Sequence, residues 1–285
     1  MIIELKPQQI NNLVMDSGVD LIIGFFDGLH HGHMKLFAES KKFSILTFKN
    51  IPRKTASLYP FEKRIEMLEQ LPGLVDIYVF DIKEYNIDAQ NFIDLYLKKL
   101  APERIVIGQN FSFGSDQQPS SFLKQSYPNT LIIEAPLNSV STSLIKTGIA
   151  TNNWDYVNQK LVNPYTRCGL VVHGDQVASN LGFATANIHC DPNLIRLVDG
   201  VYITSAIVNN KTYKAITYIG VPKTIVSRDY SFIETHIIDF HQNIYNQNLT
   251  IIFHDYIAPN KKFNSIDELI NTITSYVQIA KNAKY

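Results

Sequence analysis

The chain has 285 residues, of which 45% are apolar and 18% charged, and its 26 basic and 26 acidic residues cancel to a formal net charge of zero. That length can hold two domains with real cores, and the composition is that of a globular protein. The charge balance argues against a nucleic-acid or anionic-membrane surface, so neither partner is expected. Two cysteines, Cys168 and Cys190, lack metal-like spacing and read as free thiols of a reducing compartment. No apolar run approaches the ~18 residues of a membrane span. Residues 1–7 do not read as a signal peptide, and the expected location is the cytoplasm.

In chain order, residues 19–23 form a short apolar run that reads as a buried strand. The stretch Gly24-Phe25-Phe26-Asp27-Gly28-Leu29-His30-His31-Gly32-His33 follows, and residues 34–38 read as the first turns of a helix. A glycine-punctuated turn from strand to helix aims backbone N–H groups at whatever lies above it, usually phosphate. Gly32, between His30 and His33, lets a ligand approach the backbone. Imidazoles placed there can hold a triphosphate and stabilise charge developing during transfer. Surface histidines or a chance metal-like cluster are the plainer reading; the strand, the Asp27-Gly28 turn and the helix weigh against it.

Further strands are expected at 43–48, 75–80, 104–107 and 130–133, with helices over 61–71 and 92–100. This alternation predicts a mainly parallel, helix-covered sheet, whose ligands bind beyond the carboxyl ends of the strands. Trp154, Val157, Leu161 and Val162 suggest a short helix, with a domain boundary near residue 165. Beyond it, strands at 169–174, 200–208, 212–219, 231–240 and 249–253 predict an antiparallel barrel. A closing helix begins at Ser265, where Glu268 completes a capping box.

The opening stretch resembles the Gly-x-Phe-Asp-Gly-Val-His-x-Gly-His block of bacterial bifunctional riboflavin kinase/FMN adenylyltransferases, within the nucleotidyltransferase superfamily. Five more blocks follow in that family's order. Gly108-Gln109-Asn110-Phe111-Ser112-Phe113-Gly114 resembles Gly-x-Asp-Phe-Arg-Phe-Gly, and Val140-Ser141-Thr142-Ser143-Leu144-Ile145-Lys146 resembles Ile-Ser-Ser-Thr-x-Ile-Arg. Leu181-Gly182-Phe183-Ala184-Thr185-Ala186-Asn187-Ile188 resembles Leu-Gly-Phe-Pro-Thr-Ala-Asn-Ile. Glu234-Thr235-His236-Ile237-Ile238-Asp239-Phe240 resembles Glu-Thr-His-Leu-Leu-Asp-Phe, and residues 253–263 follow the family's closing strand.

The resemblance implies a Rossmann-like nucleotidyltransferase domain over 1–165 and a riboflavin kinase-like antiparallel β-barrel with a closing helix over 166–285. It implies two reactions: riboflavin is phosphorylated to FMN by ATP, and FMN is then adenylylated by ATP to FAD and pyrophosphate. Riboflavin, FMN, FAD and ATP would be the substrates and products, with Mg2+ as cofactor. The implied catalytic residues are Glu234, as base on the riboflavin 5′-hydroxyl, and His30 and His33. ATP and its phosphates fall to Gly24, Phe25, Asp27, Gly28, Ser141, Thr142, Ser143, Lys146, Gly182, Thr185 and Asn187. Thr185 and Asn187 would also hold the metal, and Asn110 would bind flavin.

Read without the resemblance, residues 141–146 are equally an N-capped helix, and Glu234 is equally a salt-bridge partner. Alternation would place Phe232, Glu234, His236, Ile238 and Phe240 on one face, where a carboxylate is costly without a task or partner. The chain departs from the family pattern at Ile51 (for His), Ser112 (for Arg), Val177 and Ser179 (for two Arg), Ala184 (for Pro), Ala258 (for Arg) and Asn260 (for Glu). Retention of one activity only, or flavin binding without catalysis, are therefore alternatives.

Overall fold

Six parallel strands and their crossover helices build the first of two units in the computed structural model, which describes residues 1–50, 56–135, 140–173, 182–189, 191–220 and 232–285. That unit takes the residues up to Ser141, apart from Ala56–Leu58; the second takes Ala56–Leu58 and Thr142–Tyr285.

The strands of the first unit are β1 (Ile2–Glu4), β2 (Asp20–Ile23), β3 (Phe43–Lys49), β4 (Leu74–Asp81), β5 (Ile105–Gly108), the small hairpin β6 (Ser112–Phe113) and β7 (Gln118–Pro119), and β8 (Thr130–Ile133). The sheet order is β1-β4-β3-β2-β5-β8, parallel throughout. Leu21, Ile22 and Ile23 of β2 are all buried, as expected for a parallel strand covered on both faces. From β2 the chain order runs outward through β3 and β4 on one side and through β5 and β8 on the other, with β1 added at the far edge, so the crevice at the carboxyl ends of β2 and β5 is a topological switch point.

Helices α1 (His31–Phe37), α2 (Phe61–Glu69), α3 (Ala89–Phe92), a π turn (Ile93–Leu97), α4 (Lys98–Leu100) and α5 (Ser120–Ser126) make the crossovers. Strand β1, the β6–β7 hairpin and α5 were not expected from sequence. Strand β1 exists only through pairing with β4, residues 2–4 with 77–79, which no local pattern reveals.

The second unit opens with α6 (Thr142–Ala150) and α7 (Trp154–Lys160). A closed barrel follows, made of β9 (Thr166–Val172), β10 (Thr185–Ile188), β11 (Gly200–Val208), β12 (Lys211–Gly220), β13 (Phe232–Ile237) and β14 (Asn248–Ala258). Asn209 and Asn210 both have positive φ, 49° and 61°, which closes the β11–β12 hairpin with a twist matched to its strands. Inside the barrel the buried hydroxyls of Thr204, Thr217 and Thr235 form a chain, with oxygen separations of 2.8 and 2.9 Å. Outside it, Ile203, Ile216 and Ile238 pack against Val277 and Ala280 of α8 (Ile266–Asn282). Ser265 Oγ accepts the Glu268 N–H at 3.1 Å, and Glu268 Oε2 reaches back to the Asn264 N–H at 2.9 Å, one residue before the cap. Trp154 is buried and stacks on Phe253 at 5.5 Å, edge-on to Tyr202 at 5.7 Å.

The strand expected over 231–240 ends at Ile237. Asp239 turns the chain at φ 56°, so Phe240 leaves the face of Glu234 and packs edge-on against Tyr213 at 5.0 Å. Sequence expectations at Ile51, Gly174, Val177, Ser179, Leu181, Cys190 and Ser231 fall outside the described residues. Among the described residues no helix is long and apolar enough to cross a membrane.

Candidate active sites

Leaving β2, the chain turns through Phe26 (φ 51°) and Gly28 (φ 79°). A Cβ on Gly24 would lie 2.6 Å from the Phe26 ring, so a side chain there would force that buried ring to shift. Asp27 is buried, and its Oδ1 accepts the backbone N–H of Tyr59 at 3.4 Å. His30 caps α1: its Nδ1 accepts the His33 N–H at 3.3 Å, and the two rings stack with centroids 3.6 Å apart. Burial pulls the His30 pKa from the usual 6.5 to about 4, so the ring is neutral at physiological pH. A neutral ring that accepts at Nδ1 carries its proton on Nε2, which makes that edge a hydrogen-bond donor. A Cβ on Gly32 would meet both His30 Nδ1 and the Val140 carbonyl oxygen at 3.0 Å. The 140–141 segment thus lies beside the histidine turn. Ser141 closes the first unit; Thr142, Ser143 and Lys146 belong to α6 of the second.

At the carboxyl ends of β3, β4 and β5 lies a cavity of about 270 Å³. Phe25, Phe48, Phe80, Phe92 and Phe111 supply its aromatic wall, and Asn110 lies on its lining. Phe111 stacks on Phe113 at 5.6 Å and on Phe48 at 6.4 Å. Behind Phe25 sits Arg64 of α2, only 4% exposed. Its Nη1 donates to the Phe25 carbonyl at 2.7 Å, its Nη2 donates to the Phe48 carbonyl at 3.2 Å, and its guanidinium lies 4.1 Å from the centre of the Phe25 ring. Thr47 Oγ1 gives the Phe25 carbonyl a second donor at 3.2 Å. Burial lowers the Arg64 pKa to about 10, which leaves it a cation at neutral pH.

In the second unit, pairing fixes a row of polar residues across three strands. Asn187 of β10 lies opposite Glu234 of β13, and Glu234 lies opposite Tyr218 of β12. Thr185, two residues from Asn187 and on the same face, lies opposite His236. Asn187 is 4% exposed, and its Oδ1 has no hydrogen-bond partner among the described residues. His236 Nδ1 donates to the Ala184 carbonyl at 2.9 Å and its ring meets the Phe183 ring at 5.5 Å, which ties the 183–184 segment to β13. Gly182 just before it has φ 90°. Burial, then the neighbouring Glu234 carboxylate, raises the Tyr218 pKa. No group of three or more His, Cys, Asp or Glu side chains that could hold a metal occurs among the described residues.

The structure thus gathers Gly24, Phe25, Asp27, Gly28, His30 and His33 in one turn, with Asn110 and Phe25 on one cavity. It gathers Thr185, Asn187 and Glu234 on one barrel face. Sequence reasoning did not single out Arg64, Tyr218 or the walls Phe48, Phe80 and Phe92. A signal existed for Arg64: it lies three residues after Phe61 and one before Ile65, a cation inside an apolar helix stripe.

Residues 161–284 match the riboflavin kinase family and residues 14–141 the FAD synthetase family. Enzymes of these two kinds use a divalent metal cation. The chain is 34% identical over 264 residues to a bifunctional riboflavin kinase/FMN adenylyltransferase of Mycoplasma pneumoniae, covering 92% of this chain and 96% of that one. It is 42% identical over 273 residues to a trifunctional RibF/MnmA protein of Mycoplasmoides gallisepticum, covering 95% of this chain but only 41% of that longer protein. A solved structure described as a macrolide-efflux protein from Streptococcus pneumoniae superposes with a TM-score of 0.87, covering 99% of both chains at 24% identity, which shows a shared fold. The chain belongs to the bifunctional riboflavin kinase/FMN adenylyltransferase family, with the FAD synthetase part in its first half and the riboflavin kinase part in its second.

Proposed function

We propose that this chain makes FAD from riboflavin in two phosphorus substitutions, with residues 166–285 carrying the kinase and residues 1–165 the adenylyl transfer, in the cytoplasm. The observation that carries the reading is the pairing of Glu234 with Asn187, whose buried Oδ1 lacks a hydrogen-bond partner among the described residues. A buried amide oxygen without a donor is costly unless a ligand completes it. Asn187 and Thr185 are oxygen donors and suit a hard divalent cation, which we take to be magnesium. When bound, such a cation supplies charge neutralisation to the ATP phosphates.

Glu234 takes the proton of the riboflavin 5′-hydroxyl as that oxygen bonds to the γ-phosphorus of ATP and ADP leaves. Gly182 lets the backbone of its segment approach the nucleotide phosphates. In the first unit the aromatic cavity takes the isoalloxazine of FMN, with Asn110 as a polar contact. The FMN phosphate oxygen attacks the α-phosphorus of a second ATP, and pyrophosphate leaves. His30, neutral and donating from Nε2, and His33 stabilise the charge on the α-phosphoryl oxygens. Gly24, Phe25, Asp27 and Gly28 shape the turn that holds them. Ser141, Thr142, Ser143 and Lys146 contact the triphosphate; Lys146 gives a point charge without the bidentate fork of an arginine.

The test is product analysis. Riboflavin, ATP and magnesium incubated with the full chain should yield FMN and then FAD. FMN alone would leave only the kinase, FAD only from added FMN would leave only the transferase, and unchanged bound flavin would make the protein a binding module.

A further inference from the structure

We infer that Arg64 is a positioning residue of the FMN site, holding the aromatic walls Phe25 and Phe48 where the flavin ring must stack. The inference rests on the reading of the aromatic cavity as the FMN site. Arg64 is an almost fully buried cation, and its two guanidinium Nη groups donate to backbone carbonyls, those of Phe25 and Phe48. These two carbonyls belong to different strand ends, one just after β2 and the other at the next-to-last residue of β3. A planar guanidinium can bridge them because its fork presents two donors in fixed directions; a lysine ammonium is a single point and lacks that geometry.

The same guanidinium also covers the Phe25 ring at 4.1 Å, while Phe25 lines the cavity. An aromatic ring held by a cation is fixed in orientation. Thr47, a buried residue of β3, donates to the Phe25 carbonyl as well, so one carbonyl is held by two side chains. Phe25 begins the turn that leads to His30 and His33. The arginine therefore sets flavin stacking through the first residues of the phosphate turn, without itself touching substrate.

The test is the KM for FMN in adenylyl transfer by the full chain, with melting temperature and riboflavin kinase rate as controls on the same preparation. Arg64→Lys keeps the charge and removes the fork. It should raise the KM for FMN roughly tenfold, the scale of one charge-assisted hydrogen bond, with a much smaller change in the KM for ATP. The kinase rate should stay at its normal value. Thr47→Val, which removes the second donor and leaves the cation, should raise the same KM by a few-fold and serves if Arg64→Lys melts below the assay temperature. A normal KM for FMN in either folded variant, or a fall in kcat alone, overturns the inference. Phe111→Ala separates the two levels: if it raises the KM for FMN while Arg64→Lys does not, the arginine's role alone fails. If neither variant changes that KM, the cavity is not the FMN site and the inference falls with it.

Discussion

The Nδ1 of His30 accepts the backbone N–H of His33 at 3.3 Å, so the first histidine of the pair anchors the backbone of the second. The bond sets the His30 tautomer and begins α1 at the same time, and the two rings stack with centroids 3.6 Å apart. His33→Ala should lower FAD formation from supplied FMN by about 10²–10³, the cost of one preorganised donor, while riboflavin phosphorylation continues. Flavin product analysis on the variant checks this; unchanged FAD synthesis removes the histidine turn from the mechanism.

A second histidine supplies a pH signature in the barrel. His254 Nε2 and Ser205 Oγ are 2.8 Å apart, the ring stacks on Tyr285 at 3.6 Å, and burial lowers its pKa from 6.5 to about 4. The unfolded chain therefore binds more protons than the folded one between these values. The stability that His254 contributes is complete above pH 6.5 and is lost as pH falls towards 4. His30 acts in the same direction in the first unit. Melting temperature should fall between about pH 7 and pH 5, and His254→Gln, which keeps a hydrogen-bonding group, should flatten the slope of the barrel transition. An identical slope in the variant contradicts the assignment.

The threonine chain inside the barrel predicts a stability cost. Thr217 bonds both Thr204 and Thr235, and all three side chains are buried. Thr217→Val preserves the shape and strips both neighbours of a partner, so unfolding free energy should drop by about 1–3 kcal/mol. Thr217→Ser should cost less. Denaturant titration followed by kinase activity measures both.

The helices before the barrel belong to its unit. Asn158 of α7 donates to the Phe253 carbonyl at 2.9 Å and accepts the Tyr165 N–H at 3.1 Å, and Trp154 packs on Phe253. A fragment of residues 142–285 should fold and make FMN without FAD. A fragment of 166–285 lacks Trp154 and Tyr165 and should be less stable by about 3–5 kcal/mol, the scale of emptying a large aromatic site. Equal melting temperatures for the two fragments would contradict that packing role.

Much of this architecture is legible in the sequence because it is local. The run ending at Ile23, the glycines at 24 and 28 and the helix after His30 follow from short-range sterics and capping, and α8 announces itself through Ser265 and Glu268. The alternation around Glu234 places it with His236, although the ladder stops at Ile237 because Asp239 takes a left-handed turn. What is not legible is set by distant partners. Strand β1 has only three residues and depends on β4. The cavity wall joins Phe25, Phe48, Phe80, Phe92 and Phe111 from five separate segments. Tyr218 reaches Glu234 only through β12–β13 register, and Arg64 meets Phe48 only because α2 folds back over β3.

The central claim is that Glu234, held opposite Asn187, is the base for riboflavin phosphorylation. Glu234→Gln keeps size and hydrogen bonding and removes the base. Single-turnover phosphorylation of riboflavin should fall by about 10²–10⁴, with melting temperature, flavin binding and FAD synthesis from added FMN unchanged. A near-normal phosphorylation rate per folded molecule, accompanied by a lowered melting temperature, would make Glu234 a structural ion-pair partner and contradict the account.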